Sequence, residues 1–423
     1  MGPFITHKFC GRTRKTTAVF VAVITCIFFF GMTGARAAEP YHLGVALGLT
    51  GAGALYSADG VEGIKLAVEE INAKGGFLGR HKVELFIRDS QTKPDVGVRE
   101  VKDLILRDKI RAVINDYSSA VAVAVKPIAQ EYKVLHIASI SNSENITKIH
   151  PSPYTFQVVP NSYMQAKAIA VGIAKLAKQK GWKEYITIAS DYEWGRSTQA
   201  ETVKFLKVMA PNLTLKKEFW PRLGEAQFTS YITGIMAMKP DFVVGCVASN
   251  DNVAWMEQAK TYGFFDKIPY PGSLITVTEL QLQAKTLPRN IIALTRGPFF
   301  AHMDNPMIAD FVKNYRAKYN KFPSDWAVLS YDAVYALKQG VEKANSIDTE
   351  KVKDAMKGMT VNLTRGKLAF RAIDNQLSCS SYLGTIADDP RYPFPIYKDI
   401  VEVKGSESER PESEILAARK AAK

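Results

Sequence analysis

Little in this chain is suited to covalent chemistry or metal binding. Only four of its 423 residues are cysteine, and Cys10 and Cys26 fall in an N-terminal segment with the marks of an export signal. Cys246 and Cys379 remain, too few for a disulfide-stapled scaffold. Export permits a bridge between them, but Cys246 sits in an apolar run, Phe242 to Ala248, where a free buried thiol is the commoner state. His42, His81, His136, His150 and His302 are scattered, with no ligand spacing among them. The G-x-S-x-G elbow, H-E-x-x-H, a paired C-x-x-C and the P-loop are all absent. Gly48, Gly51 and Gly53 do not match the dinucleotide spacing either. An enzyme is therefore not expected: no catalytic residue, metal ligand or cofactor is proposed.

Long apolar runs are also lacking, except at the start. Met1 to Thr17 carries Lys8, Arg12, Arg14 and Lys15 and no acid; Ala18 to Met32 is almost wholly apolar, and Ala35-Arg36-Ala37 offers small residues for cleavage after Ala37. The apolar core is shorter than the ~20 residues of a spanning helix, which favours a cleaved signal over an anchor. Cys26 is no lipoprotein site, given Thr25 before it and Ile27-Phe28-Phe29-Phe30 after it. Cleavage leaves 386 residues (423 − 37), enough for two to three domains, and lowers the net charge from +13 to +8 (50 − 42). That mild surplus is spread along the chain. It suits an anionic ligand or a membrane surface and offers no clustered arm for nucleic acid.

What is present is alternation. Leu43 to Leu49 is an apolar run short enough for a strand buried on both faces. Thr50 to Ser57 reads as a loop of small residues from which Tyr56 stands out. Asp59 is the expected N-cap of the following helix, with Glu62 completing a capping box. Val61, Ile64, Val68 and Ile71 then recur at helical spacing, and Gly75-Gly76 stops the helix. Strands at Val83-Ile87, Ala112-Asn115, Val134-Ala138 and Tyr154-Val159 enclose helices at Pro94-Arg107 and Ala120-Tyr132; Pro127 predicts a kink or break in the second. The cycle restarts near Pro160-Asn161 with helices Ser162-Gln179, Arg196-Met209, Phe228-Met238 and Asn252-Tyr262, and strands Tyr185-Ala189, Thr214-Phe219 and Asp241-Val247. Such alternation builds parallel sheets through right-handed crossovers, and the restart marks a lobe boundary. Long helices follow at Met307-Tyr319 and Trp326-Ala344, and short strands at Leu368-Phe370 and Tyr397-Val403. The charged residues 406–423 read as a solvated helix or frayed tail.

Ligands of open α/β sheets bind beyond the carboxyl ends of the strands, where this chain places small polar clusters. Tyr117-Ser118-Ser119-Ala120 opens a helix whose free N–H groups and dipole suit a carboxylate, although Ser118 can equally be a plain cap. Ser139-Ile140-Ser141-Asn142-Ser143 follows the next strand. In the second half come Asp191-Tyr192-Glu193-Trp194-Gly195, Ala248-Ser249-Asn250-Asp251 and Gly272-Ser273-Leu274-Ile275-Thr276. Tyr192 and Trp194 can wall an apolar or aromatic ligand.

With these residues in place, the chain resembles the periplasmic solute-binding proteins of branched-chain amino acid (leucine/isoleucine/valine) ABC importers. The markers are GLTGAGALYSADGVEGIKLAVEEINAKGG at 48–76, VELFIRDSQTKPDVGVREVKDLI at 83–105, DYSSAVAVAVKPIAQEYKVLHIAS at 116–139 and SDYEWGRS at 190–197. The resemblance implies an α/β type I periplasmic binding protein fold, two doubly wound parallel-sheet lobes joined by a three-segment hinge. Lobe one would be 38–159 plus 297–372, and lobe two 160–296 plus 373–405, ahead of the tail. It implies that Ser119 and the loop Ile140, Ser141, Asn142 hold a ligand carboxylate, that Tyr56 walls the cleft, and that Trp194 walls it from the other side. With Ser118, Tyr192, Ser249, Leu274 and Thr276, these are the candidate ligand-binding residues.

One departure bears on the ligand. Where amino-acid binders of the family pair the ligand ammonium with an acid, this chain aligns Leu274; Glu279 and Asp251 are acidic but displaced by several residues. A buried ammonium without a partner is costly. The expected ligand is thus a carboxylic acid without an α-amino group, aromatic or aliphatic, with a branched-chain amino acid proper as the alternative. The expected partner is an inner-membrane ABC permease, the expected state a monomer, the expected location the periplasm. A periplasmic ligand-sensing domain shares the fold and is the other class in play.

Overall fold

The computed structural model describes residues 1, 2, 6–8, 11 and 38–422, so the expected signal at 1–37 lies almost wholly outside the described residues. From Pro40 onward the chain forms one unit. Its first sheet has the order β2-β1-β3-β4-β5 and is parallel throughout. The strands are β1 (Tyr41–Leu47), β2 (Val83–Asp89), β3 (Ala112–Asn115), β4 (Leu135–Ala138) and β5 (Thr155–Gln157), with α1 (Ala54–Ala73), α2 (Pro94–Leu106) and α3 (Ser119–Glu131) between them. β3 and β4 are buried along their whole length, as their apolar runs require.

The second half contains α4 (Ser162–Lys180), β6 (Glu184–Ala189), α5 (Glu193–Met209), β7 (Thr214–Phe219), α6 (Thr229–Met238), β8 (Phe242–Cys246), α7 (Asn250–Thr261) and α8 (Phe264–Lys267). After these come β9 (Ser273–Leu274), α9 (Val277–Leu282) and β10 (Ile292–Thr295). α10 (Pro306–Tyr319), α11 (Asp325–Ala344) and α12 (Thr349–Met356) follow, then β11 (Thr360–Leu363), β12 (Gly366–Ala369), β13 (Ser381–Ala387) and β14 (Ile396–Val403), and last α13 (Gly405–Ser408) and α14 (Glu412–Ala421). Strands β7-β6-β8 are parallel, whereas β14-β13-β10-β9 is a mixed group. Val243 N to Pro269 O at 2.9 Å and Gly245 N to Ser273 Oγ at 2.8 Å stitch the two groups together. The second lobe is therefore not wholly parallel. β13 and β14 are consecutive, without a crossover helix, and such a pair can only run antiparallel.

Several local expectations are corrected. The first helix begins at Ala54 after Gly53, not at Asp59, so Tyr56 lies in its first turn. The reason lies in the neighbouring strand end: the Asp89 carboxylate accepts from Leu49 N, Thr50 N and Thr50 Oγ1, and Thr92 Oγ1 accepts from Gly53 N. Capped from outside, the helix needs no side-chain cap. Asp59 is engaged instead by Lys321 and Thr278, and Glu62 by Lys321 and Tyr315. Helix α3 runs unbroken through Pro127. Of the charged C-terminal stretch, residues 412–421 form the largely exposed helix α14, as one of the two expectations had it, anchored by the buried Ile415. Cys246 and Cys379 are free and buried, and burial pushes their thiols up to about 12 and about 11.

Candidate functional site

The polar clusters of the two lobes meet. On the first-lobe side, β3 ends at Asn115, Asp116 follows it, and α3 starts at Ser119. Asp116 Oδ1 accepts from Ser118 N at 2.9 Å, while Asp116 O accepts from Ser141 N at 2.9 Å. Burial lifts the Asp116 carboxyl to about 7 despite these and neighbouring hydrogen bonds. Ser119 Oγ accepts from Asn142 N at 3.1 Å and Ser143 N at 3.0 Å, which ties the loop after β4 to the start of α3. These bonds gather the residues expected to hold a carboxylate into one cluster at the start of α3. Ser118 is the N-cap position of α3 but makes no side-chain cap bond. The Ser119 hydroxyl is committed to the loop, and Ile140 packs in the core against Gly60. Ser141 Oγ and Asn142 Nδ2 are buried without a hydrogen-bond partner.

Aromatic rings form the walls. Tyr56 stacks on Trp326 with centroids 4.2 Å apart and meets Tyr117 edge-on at 5.9 Å. Tyr117 stacks on Tyr192 at 6.2 Å, and Tyr192 lies 6.0 Å from Trp194. Trp194 reaches the site because α5 begins immediately after Tyr192. Close packing there demands Gly195, where a Cβ would lie 2.0 Å from Ser190 O. Glu193 Oε1 accepts from Ser143 Oγ at 2.7 Å and Asn145 Nδ2 at 2.8 Å, joining the lobes.

Across the mouth, the Tyr56 hydroxyl donates to Glu279 Oε1 at 2.5 Å and accepts from the Ser249 backbone N–H. Ser249 holds φ 58° and ψ −139°, a sparsely populated conformation, and its hydroxyl is buried without a partner. Leu274 is buried in the core cluster, as Tyr56 and Trp194 also are, and its backbone pairs with Leu294. The acid of the wall is Glu279. A capping box folds it back on Thr276, whose N and Oγ1 donate to Glu279 Oε2 at 2.8 and 2.6 Å. Displacement by five residues in sequence is cancelled by that turn. Burial raises the Glu279 carboxyl, against the hydrogen bonds from Thr276 and Tyr56.

Three participants escaped the sequence reading. Arg296, directly after β10, places its guanidinium between the Trp194 and Trp326 rings, and Gln165 accepts from it. A lone cation ending the apolar run 291–295 was the available signal. Trp326 looked like a helix-face residue. Gln165 offered no signal, since its role depends on α4 packing beneath the mouth. Asp325 organises this floor by accepting from Val277 N, Arg296 N and Gly297 N. No group of three or more His, Cys, Asp or Glu side chains is placed to hold a metal among the described residues.

A family model described as "Periplasmic binding protein" matches residues 40–390. The "Leu/Ile/Val-binding protein homolog 7" of Brucella abortus (strain 2308) is 22% identical over 353 residues, covering 79% of this chain and 85% of its own. A periplasmic binding protein from Burkholderia mallei superposes with a TM-score of 0.78 at 20% identity, covering 89% of this chain and 98% of its own. A solute binding protein of an ABC transporter from Rhodopseudomonas palustris BisB5, in complex with 3,4-dihydroxybenzoic acid, gives 0.75 at 19%, covering 88% and 99%.

Proposed function

Because the chain belongs to the periplasmic binding protein family, we propose that it is the extracytoplasmic solute-binding component of an ABC importer, and that it captures a small carboxylic acid between its lobes. The observation that carries this reading is the pair of buried, unpartnered donors Ser141 Oγ and Asn142 Nδ2 in the loop after β4, which is tied to the start of α3 where the rings of Tyr56, Tyr117 and Tyr192 gather. Polar atoms in such a place favour an acceptor with two oxygens, and the rings favour a flat or apolar body. Among the proteins of similar fold, one is in complex with 3,4-dihydroxybenzoic acid and another with benzoate. Capture closes the hinge, and the closed form docks as a monomer on a membrane permease in the periplasm, reached through the cleaved N-terminal signal.

A second reading has its own observation. Glu279 places a carboxylate in the wall opposite, where the ammonium of a branched-chain amino acid could displace the Tyr56 phenol. The first reading is favoured because that carboxylate already accepts from Tyr56 and from two groups of Thr276. Calorimetric titration separates them. Binding of benzoate or a short aliphatic acid, with leucine inert, is the expected result. Tight leucine binding with no response to simple acids overturns the first reading, and silence toward both classes overturns carboxylate capture itself.

A further inference from the structure

We infer that the ligand of this mouth carries an anionic group at each end, and that Arg296 selects the second. The inference rests on the solute-capture reading and adds a charge requirement to it. Arg296 is 3% exposed. Its Nε and Nη2 both donate to Gln165 Oε1, at 3.0 and 2.9 Å, and its guanidinium carbon stands 5.1 Å from the Trp194 centroid and 5.0 Å from that of Trp326. Among the described residues no carboxylate is ion-paired with its side chain; Asp325 takes only its backbone N–H, at 3.1 Å. A cation this buried, held by one neutral amide and two ring faces, gains strongly from an arriving anion.

The first anionic pole is a different place. It comprises Ser141 Oγ, Asn142 Nδ2 and the start of α3, and no hydrogen bond links it to Arg296. The two poles are nevertheless tied to the same turn of α4. Asn142 O accepts from Ser162 N at 2.6 Å, and Gln165, three residues on, holds Arg296. Two separate anion-seeking groups with aromatic rings beside them favour a spacer bearing an acid group at each end, of which benzene-1,4-dicarboxylate is a planar representative. If Arg296 merely braced Gln165 and the two indoles, replacing it would cost stability and leave ligand discrimination unaltered.

Calorimetric titration of the full chain with two matched pairs, benzoate against benzene-1,4-dicarboxylate and pentanoate against pentanedioate, tests this. In the wild-type protein the diacid of at least one pair should bind about tenfold or more tighter than its monoacid. In Arg296→Gln the ratio of diacid to monoacid affinity should fall to about one, whatever the monoacid affinity itself becomes, and Arg296→Lys should keep part of the advantage. Monoacids binding as tightly as their diacids in both pairs overturns the second pole and leaves solute capture standing. The same is true if the diacid advantage survives in Arg296→Gln. If no carboxylate binds at all, both readings fall together. Should Arg296→Gln not fold, the wild-type comparison still decides.

Discussion

The hydroxyl of Tyr56 and the carboxylate of Glu279 meet at 2.5 Å across the mouth between the lobes, although 223 residues separate them in sequence. The bond is buried, its acceptor is charged when ionised, and one partner sits in the first turn of α1 while the other caps α9. It is both a wall contact and a clasp.

Tyr56→Phe removes the donor and keeps the ring on Trp326. Hydrogen bonds to charged groups contribute about 1.5–3 kcal/mol, so ligand affinity should fall by about tenfold or more if the clasp holds the closed form. Titration calorimetry reads the affinity, and near-ultraviolet circular dichroism checks that the ring packing persists. Unchanged affinity would show that closure does not use this bond.

Asp116 predicts a pH effect whose sign is fixed by burial. Its carboxyl is raised to about 7, above the unfolded value near 3.9, so folding favours the protonated form. The resulting stability is complete below about pH 4 and is lost as pH rises through about 7. Asp116→Asn cannot ionise and its side-chain oxygen still accepts from Ser118 N. The variant should match the wild type near pH 4 and exceed it above pH 7, by an amount on the order of 4 kcal/mol. Urea midpoints of both proteins across that range check it, and a pH-independent difference would refute it.

Much of the fold was legible because its signals are local. β1, β3 and β4 are short apolar runs, and α4, α10 and α11 keep helical spacing, so periodicity finds them. What escaped depends on distant partners. The start of α1 is set by Asp89 and Thr92, some forty residues on. The antiparallel pair β13 and β14 shows only once β10 offers an edge. At the site, the clusters around Ser119, Ser141 and Trp194 converge as their positions at strand ends imply. Alignment by position stops at Leu274 and misses the Thr276 turn, which brings Glu279 back beside Tyr56.

Gly63 tests the packing that this first helix requires. A Cβ there would lie 2.2 Å from the Ala327 carbonyl oxygen, where α1 and α11 touch. The obstacle is backbone, which cannot rotate away. Gly63→Ala should therefore destabilise the protein by about 1–3 kcal/mol, despite alanine's better helix propensity. Thermal unfolding reads the change, and a variant as stable as the wild type would mean that the helices can part at no cost.

Arg410 converts a charged C-terminal stretch into a strap between the lobes. Its Nε and Nη2 reach Glu144 at 2.8 and 2.9 Å, Nη2 also reaches Glu201 at 2.7 Å and Nη1 reaches Glu414 at 2.7 Å, while its guanidinium lies 4.0 Å over the Tyr163 ring. Glu144 follows β4 on the first-lobe side, whereas Glu201 belongs to α5 on the second. Farther on, Arg419 donates to the carbonyls of Lys148 and Ile373, which holds α14 in place. Removing one partner of a buried charge network strands the others, at a cost of about 3–5 kcal/mol. Arg410→Met keeps much of the side-chain bulk over Tyr163 and deletes only the charge, so the cost should appear in full in the urea midpoint. Lys148, 2.5 Å from Glu144, can still compensate that acid, and Glu414 is half-exposed, which leaves Glu201, with only Lys204 at 3.9 Å, as the group most affected. Adding Glu201→Gln to Arg410→Met should then recover part of the loss, whereas Glu201→Gln alone should weaken the wild type. Additive effects in this double-mutant cycle would mean that the strap is a set of independent surface pairs rather than one coupled joint.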